Sequence, residues 1–309
     1  MSRRDQRRRR LATRGALVAA GATAGAAWLA RPTPVVPPRT LVTQRPTRIA
    51  HRGASAARPE NTLAAFTHAL DLGVDGLELD LRLTADGHVV VHHDPSVDRT
   101  TDGTGPVDSR TLAELRRLDA GAGFVAPDGS RPFAGQGIAI PTLGEVLTAT
   151  DTFWVLELKA GGERLAAAVA DSVHTHGAAH RVIAASFSDQ LLATLRRLAP
   201  ELPTSLSPRE MRALWHLSRL GLGRWTPTRG VAAQVPEHAS GRYVPTPRFL
   251  TAAHALGMHV HVWPINDEGS MHRLLDEGAD GIITDVPDVL NAVLSERGDP
   301  RLHQGLLQP

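Results

Sequence analysis

The chain has no cysteine, which excludes a disulfide framework and any thiolate zinc site but leaves the compartment open. Lysine is almost missing as well. Lys159 is the only one, and every other basic residue is arginine, so arginine pairs carry little weight by themselves. There is no Gly-x-Gly-x-x-Gly fingerprint to support a dinucleotide-binding open sheet, and no self-similar repeat. The uncharged stretch Gly15–Ala30 falls short of the roughly 20 residues of a membrane span. What is present is 42% hydrophobic and 21% charged residues, the make-up of a well-cored soluble domain and not of a disordered chain. A length of 309 residues allows two ordinary domains or one large α/β barrel.

The net charge of +2 divides unevenly along the chain. Residues 1–31 hold eight arginines against Asp5, which leaves residues 32–309 with 26 basic and 31 acidic side chains, a net charge of −5. An acidic body argues against a nucleic-acid groove. The arginine cluster, followed by the small and apolar residues 15–30, describes an export signal, or a membrane anchor if it is not cleaved and Arg14 reaches the headgroups. Either form leaves the positive end cytoplasmic and the body outside, secreted or anchored. The expected organisation is therefore a signal or anchor over 1–30, a proline-rich extended linker over 31–47, a catalytic body over 48–298 and a tail over 299–309.

Eight short apolar runs are expected as strands: Arg48–His51, Asp75–Leu81, Trp154–Lys159, Val182–Ser186, Thr204–Leu206, Val231–Val235, His259–Trp263 and Gly281–Thr284. Amphipathic stretches separate most of them, and this alternation over about 250 residues predicts a TIM (β/α)8 barrel, with a doubly wound sheet as the rival. Asp86-Gly87 between Leu77–Thr84 and His88–Asp94 predicts a hairpin with a two-residue turn, adding an antiparallel strand beside the second barrel strand. Pro95–Pro141 reads as a loop-rich insertion with one helix, Thr111–Leu118, serving as a lid or substrate wall or as an inert excursion. Pro208–Arg224 is a basic amphipathic helix, either an ordinary barrel helix or a membrane-touching face.

A two-residue turn would set Asp80 opposite His93, with Glu78 further along the same face, and turn His92 to the other side as a core or supporting residue. Leu77, Leu79 and Leu81 fill the opposite face, so the two acids point inward and need a counter-charge. A hard divalent cation, Ca²⁺ or Mg²⁺, suits oxygen ligands. His51-Arg52-Gly53 at the first strand end and Glu157-Leu158-Lys159 on the third should reach the same mouth, adding a third carboxylate and two cations suited to phosphate.

The stretches HRGASAARPENTLAAF (51–66), GVDGLELDLRLTADGHVVVHHDP (73–95), DRTTDGTG (98–105), IPTLGEVL (140–147), LELK (156–159), HVWPIN (261–266) and GADGIITDVP (278–287) together resemble the glycerophosphodiester phosphodiesterase family in order and spacing. The resemblance covers residues 48–290 and implies a TIM barrel with metal-dependent hydrolysis of glycerophosphodiesters to glycerol 3-phosphate and an alcohol. It implies His51 and His93 as general acid and base, with Glu78, Asp80 and Glu157 as ligands to one divalent cation. Arg52 and Lys159 match phosphate-binding positions, and Trp263 matches an aromatic at the substrate mouth. Glu60 and Asn61 match supporting positions, although helix capping alone would explain Asn61. Asp285 reads as structural. The substrate implied is a small glycerophosphodiester. Alternatives are a lysolipid or wall-polymer diester handled outside the membrane, or an inactive phosphoester-binding barrel.

Overall fold

In the computed structural model the described residues are 37–39, 41 and 46–303. The expected signal or anchor over 1–30, much of the linker and the end of the tail lie outside the described residues. These described residues fall in one compact unit. In chain order its elements are β1 (Thr47–Ala50), α1 (Leu63–Asp71), β2 (Gly76–Leu83), β3 (Val89–Val91), α2 (Leu112–Leu115), α3 (Leu143–Ala149), β4 (Phe153–Leu158), α4 (Gly162–Thr175), β5 (Val182–Ala185), α5 (Asp189–Leu198), α6 (Pro208–Arg219) and β6 (Ala232–Pro236). A small hairpin, β7 (His238–Ala239) and β8 (Arg242–Tyr243), precedes α7 (Pro247–Ala255), β9 (His259–Trp263), α8 (Glu268–Asp276), β10 (Gly281–Thr284), α9 (Pro287–Glu296) and α10 (Pro300–His303).

The sheet runs β5-β4-β2-β1-β10-β9-β6, parallel throughout. Thr204 and Ser205 bridge β5 to β6 in parallel, standing where the fifth strand was expected and closing the (β/α)8 barrel. That fifth stave is only a pair of bridges because Pro203 supplies no N–H and the chain turns into α6 at Ser207. Helix starts are written in the sequence. Thr142 with Glu145 and Ser207 with Glu210 form capping boxes, and Pro208 and Pro247 occupy first-turn positions where no N–H is needed.

Alternation along β2 sorts its side chains. Leu77, Leu79 and Leu81 pack outward with Phe66 of α1, Val146 of α3 and Val169 of α4, leaving Glu78 and Asp80 inside the barrel. The barrel interior is a second apolar layer of Ile49, Phe153, Val155, Ile183, Ala232 and Ile283. Leu41, expected in an extended linker, joins that layer and is fully buried. The tail also engages the body. Arg301 pairs with Asp75 at 3.0 Å and donates to the Pro46 carbonyl at 2.8 Å.

The hairpin differs from expectation by one residue. Leu81 pairs with Val91, Arg82 with Val90 and Leu83 with Val89, and Thr84 and His88 close a loop of Ala85-Asp86-Gly87. A three-residue loop ending on a left-handed Gly87 (φ +88°) replaces the two-residue turn, because Thr84 Oγ1 accepts from the His88 N–H and donates to Asp86. Asp80 therefore lies opposite His92, whose N–H donates to its carbonyl, and not opposite His93. The insertion carries one four-residue helix, α2, shorter than expected, and a small core of Val90, Val97, Val107, Leu115, Ala120 and Ile140. Helix α6 packs as a barrel helix through Leu214 and Trp215, with the Arg219 guanidinium 4.2 Å over the Trp215 ring.

Candidate active site

At the C-terminal ends of the strands lies a cavity of about 400 Å³ lined by His51, Arg52, Glu78, His93, Glu157, Lys159 and Trp263 among others. Glu78 and Asp80 on β2 and Glu157 on β4 each offer an oxygen within 4.8 Å of the others. They converge because β2 and β4 are neighbours in register, Asp80 beside Glu157, with Glu78 one inward position below.

The carboxylates differ in partners. Lys159 Nζ lies 2.9 Å from Asp80 Oδ1 and 2.5 Å from Glu157 Oε1, and Arg52 Nε lies 3.2 Å from Asp80 Oδ2. Asn61 Nδ2 donates to Asp80 Oδ2 at 2.8 Å, while its Oδ1 accepts from the Asp80 N–H. Burial works to raise Asp80, but Lys159, Arg52 and the Asn61 bond outweigh it and hold the carboxyl below its ordinary value. Glu78 has no such cation in contact. It accepts one bond, from the Arg52 backbone N–H at 3.0 Å. Burial, then the negative charge of Asp80, push it up to about 8.

Two tight turns set this geometry. Arg52 (φ 55°) and Asn61 (φ 59°) are non-glycine residues in the left-handed region, held there by reciprocal needs: the Asn61 N–H donates to the Arg52 carbonyl, and each side chain reaches Asp80. The α1 N-cap is Thr62, so capping does not account for Asn61. Gly53 (φ +82°) sits where a Cβ would come within 2.7 Å of the Ala65 backbone.

Each imidazole is oriented by a carboxylate. His51 Nδ1 lies 2.7 Å from Asp285 Oδ1, and His93 Nδ1 lies 2.6 Å from Asp94 Oδ1. An ionised carboxylate only accepts, so Nδ1 carries the proton in both rings and Nε2 is left for the mouth. His51 Nε2 is 3.8 Å from Glu78 Oε2. Burial opposes a charge on His51, but the Asp285 bond and the nearby Glu78 prevail and raise its pKa. Asp285 is held down to about 2, against burial, by His51, Ser55 and Asn266. Asp285 is thus more than a strand-closing structural residue.

Four further arginine contacts escaped the sequence reading. Arg82 clamps the His93 carbonyl through Nε at 2.8 Å and Nη2 at 2.6 Å. Arg99, from the insertion, bonds both oxygens of Glu60 and also Asp94. Glu60 in turn pairs with Arg52 at 2.9 Å, so one chain of charged contacts runs from His93 to Arg52. His92 is buried with Nε2 on the Ser96 carbonyl, the supporting position expected of it. His93 enters the mouth because the last backbone bond to β2 is made by His92 and the chain then turns away, not because of hairpin register. Trp263 meets Phe187 edge to face at 5.6 Å on the far rim, joined by Leu206, Met211 and Pro236.

A (β/α)8 barrel whose mouth gathers three carboxylates, two oriented imidazoles, an arginine and a lysine defines the barrel phosphodiesterases. The profile of the Glycerophosphoryl diester phosphodiesterase family matches residues 51–289, and the chain belongs to that family. It is 36% identical over 261 residues to a glycerophosphodiester phosphodiesterase of Caldanaerobacter subterraneus, covering 81% of this chain and 98% of that one. A Bacillus subtilis glycerophosphodiester phosphodiesterase is 32% identical over 262 residues, covering 79% and 85%. Among solved structures, an Oleispira antarctica phosphodiesterase in complex with the product sn-glycerol-3-phosphate superposes with a TM-score of 0.68 at 28% identity, covering 82% and 99%. The chain is accordingly a phosphoric diester hydrolase.

Proposed function

We propose that the protein hydrolyses glycerophosphodiesters to glycerol 3-phosphate and an alcohol with one divalent cation, His51 and His93 sharing the proton transfers. The observation that carries this reading is the convergence of Glu78, Asp80 and Glu157 beneath two carboxylate-oriented imidazoles in a single cavity. The donor set fits a hard cation: three carboxylate oxygens and no sulfur, with Glu78 buried and pushed up for want of positive charge. Glu78, Asp80 and Glu157 would hold Ca²⁺ or Mg²⁺, which when bound supplies positive charge to the non-bridging phosphate oxygens.

The remaining work falls to the protein's own groups. Arg52 and Lys159 offer fixed positive charge to the phosphate as its oxygens gain charge. One histidine Nε2 takes the proton from the attacking hydroxyl as its oxygen bonds to phosphorus. The other gives a proton to the departing alkoxide as its P–O bond breaks, so no free alkoxide is released. Trp263 and Phe187 provide an apolar rim for an organic arm of the diester. Release of glycerol 3-phosphate from glycerophosphocholine, with and without EDTA, tests the reading. Turnover that survives chelation, or survives Glu78→Ala, would overturn the metal role.

The apolar half of the mouth favours a second reading, a lysophospholipid or wall-polymer diester met outside the cytoplasmic membrane. The cationic start and apolar stretch of residues 1–30 support export, with the body secreted or anchored. Headgroup release from lysolipid micelles faster than from the soluble diester would select it.

A further inference from the structure

The mouth is chemically two-sided. Residues on β1, β2, β3 and β4 or just beyond them supply its histidine and carboxylate groups together with Arg52 and Lys159. The staves opposite, from β5 to β9, contribute Phe187, Leu206, Pro236 and Trp263. Four polar side chains interrupt that far wall: Ser186, Ser205, Gln234 and, at the exposed rim beside Asp189, Arg212. Gln234 stands on β6, four staves round the barrel from β2 and so directly across from Glu78 and Asp80. Its neighbours Ala233 and Val235 pack outward against the helices, so by alternation Gln234 points inward, one layer above Ala232 of the barrel interior.

The amide nitrogen of Gln234 is buried and has no hydrogen-bond partner. Nearby polar groups are already committed: Ser205 Oγ donates to the Ala232 carbonyl, and Ser186 Oγ to the Leu158 carbonyl. A buried amide donor left without an acceptor is costly, and since the rest of the Gln234 side chain lines the cavity, a turn of its terminal amide brings the donor to an oxygen that the ligand carries.

Resting on the reading above, we propose that Gln234 contacts substrate, its amide N–H donating to the glycerol hydroxyl remote from phosphorus. The phosphate is held at the charged wall, the carbon chain crosses to Trp263 and Phe187, and the far hydroxyl meets the Gln234 amide. Gln234 thereby makes the site selective for a hydroxylated arm over an alkyl arm of equal length, since the alkyl arm leaves the donor unpaired.

The test compares the full chain and Gln234→Leu on glycerophosphocholine and on bis(p-nitrophenyl) phosphate, which has no hydroxyl. The ratio of kcat/KM for the first substrate to that for the second should fall roughly tenfold in the variant, mostly through KM. Independently of any variant, glycerol 3-phosphate should inhibit the wild type roughly tenfold more tightly than propyl phosphate. An unchanged ratio, or equal inhibition by the two monophosphates, overturns the role of Gln234. A wild type that cleaves the nitrophenyl diester but not glycerophosphocholine overturns the glycerophosphodiester reading instead, and the Gln234 contact with it.

Discussion

Glu78→Gln should make the metal-free protein more stable while destroying its activity. Glu78 is 4% exposed, accepts a single backbone bond and faces Asp80, and its carboxyl is pushed from an ordinary 4.5 up to about 8. Because the folded value lies above the unfolded one, the contribution of this group to stability is complete below pH 4.5 and is lost as the pH rises toward 8. At about 1.4 kcal/mol for each pH unit in that window, metal-free wild type at pH 7 forgoes on the order of 3 kcal/mol. Glutamine keeps the shape and an acceptor for the Arg52 N–H and carries no charge. At about 2–4 °C per kcal/mol the variant should melt roughly 6 °C or more above wild type at pH 7 in EDTA, with the gap nearly closed at pH 5. Adding Ca²⁺ or Mg²⁺ should lift the wild type and leave the variant almost unmoved. Parallel melting curves across pH, or a variant less stable than wild type in EDTA at pH 7, would refute the crowded-carboxylate argument.

His51→Ala and His93→Ala should each lower kcat about 100-fold or more, read by glycerol 3-phosphate release. Asp285→Asn removes the carboxylate that raises His51, so whichever limb of the pH–rate profile reports that imidazole should move to lower pH; movement to higher pH would contradict the assignment. Gly53→Ala should cut activity sharply, because a Cβ at 2.7 Å from Ala65 backbone displaces the turn that aims Arg52. Leu41→Ala should cost about 2–4 kcal/mol in denaturant unfolding, as a cavity opens in the barrel interior; a loss below measurement would mean the leucine is not packed there in solution.

Periodicity carried most of the fold. Seven of the expected staves form as strands near their expected places, since buried parallel strands write themselves as continuous apolar runs. Thr204–Ser205 only bridges its neighbours, and Leu41 was unreadable because a lone leucine among prolines has no period. The charged cluster was legible because Glu78 and Asp80, and Glu157 and Lys159, sit two apart on strands. His93 was reached by an argument whose register was off by one, the hydroxyl of Thr84 having lengthened the turn. The partners that orient the site were not legible in the same way. Asp285 lies 234 positions from His51, and Arg99 lies 39 from Glu60, so no local pattern pairs them.

Leu41 packs in the barrel interior six residues ahead of Thr47, where β1 starts, and so stoppers the floor at the N-terminal ends of the strands. The cavity opens at the other pole. The residue that stoppers the barrel and the residues that face substrate therefore sit at opposite ends of it, so damage at Leu41 should be read in unfolding and damage at the mouth in turnover.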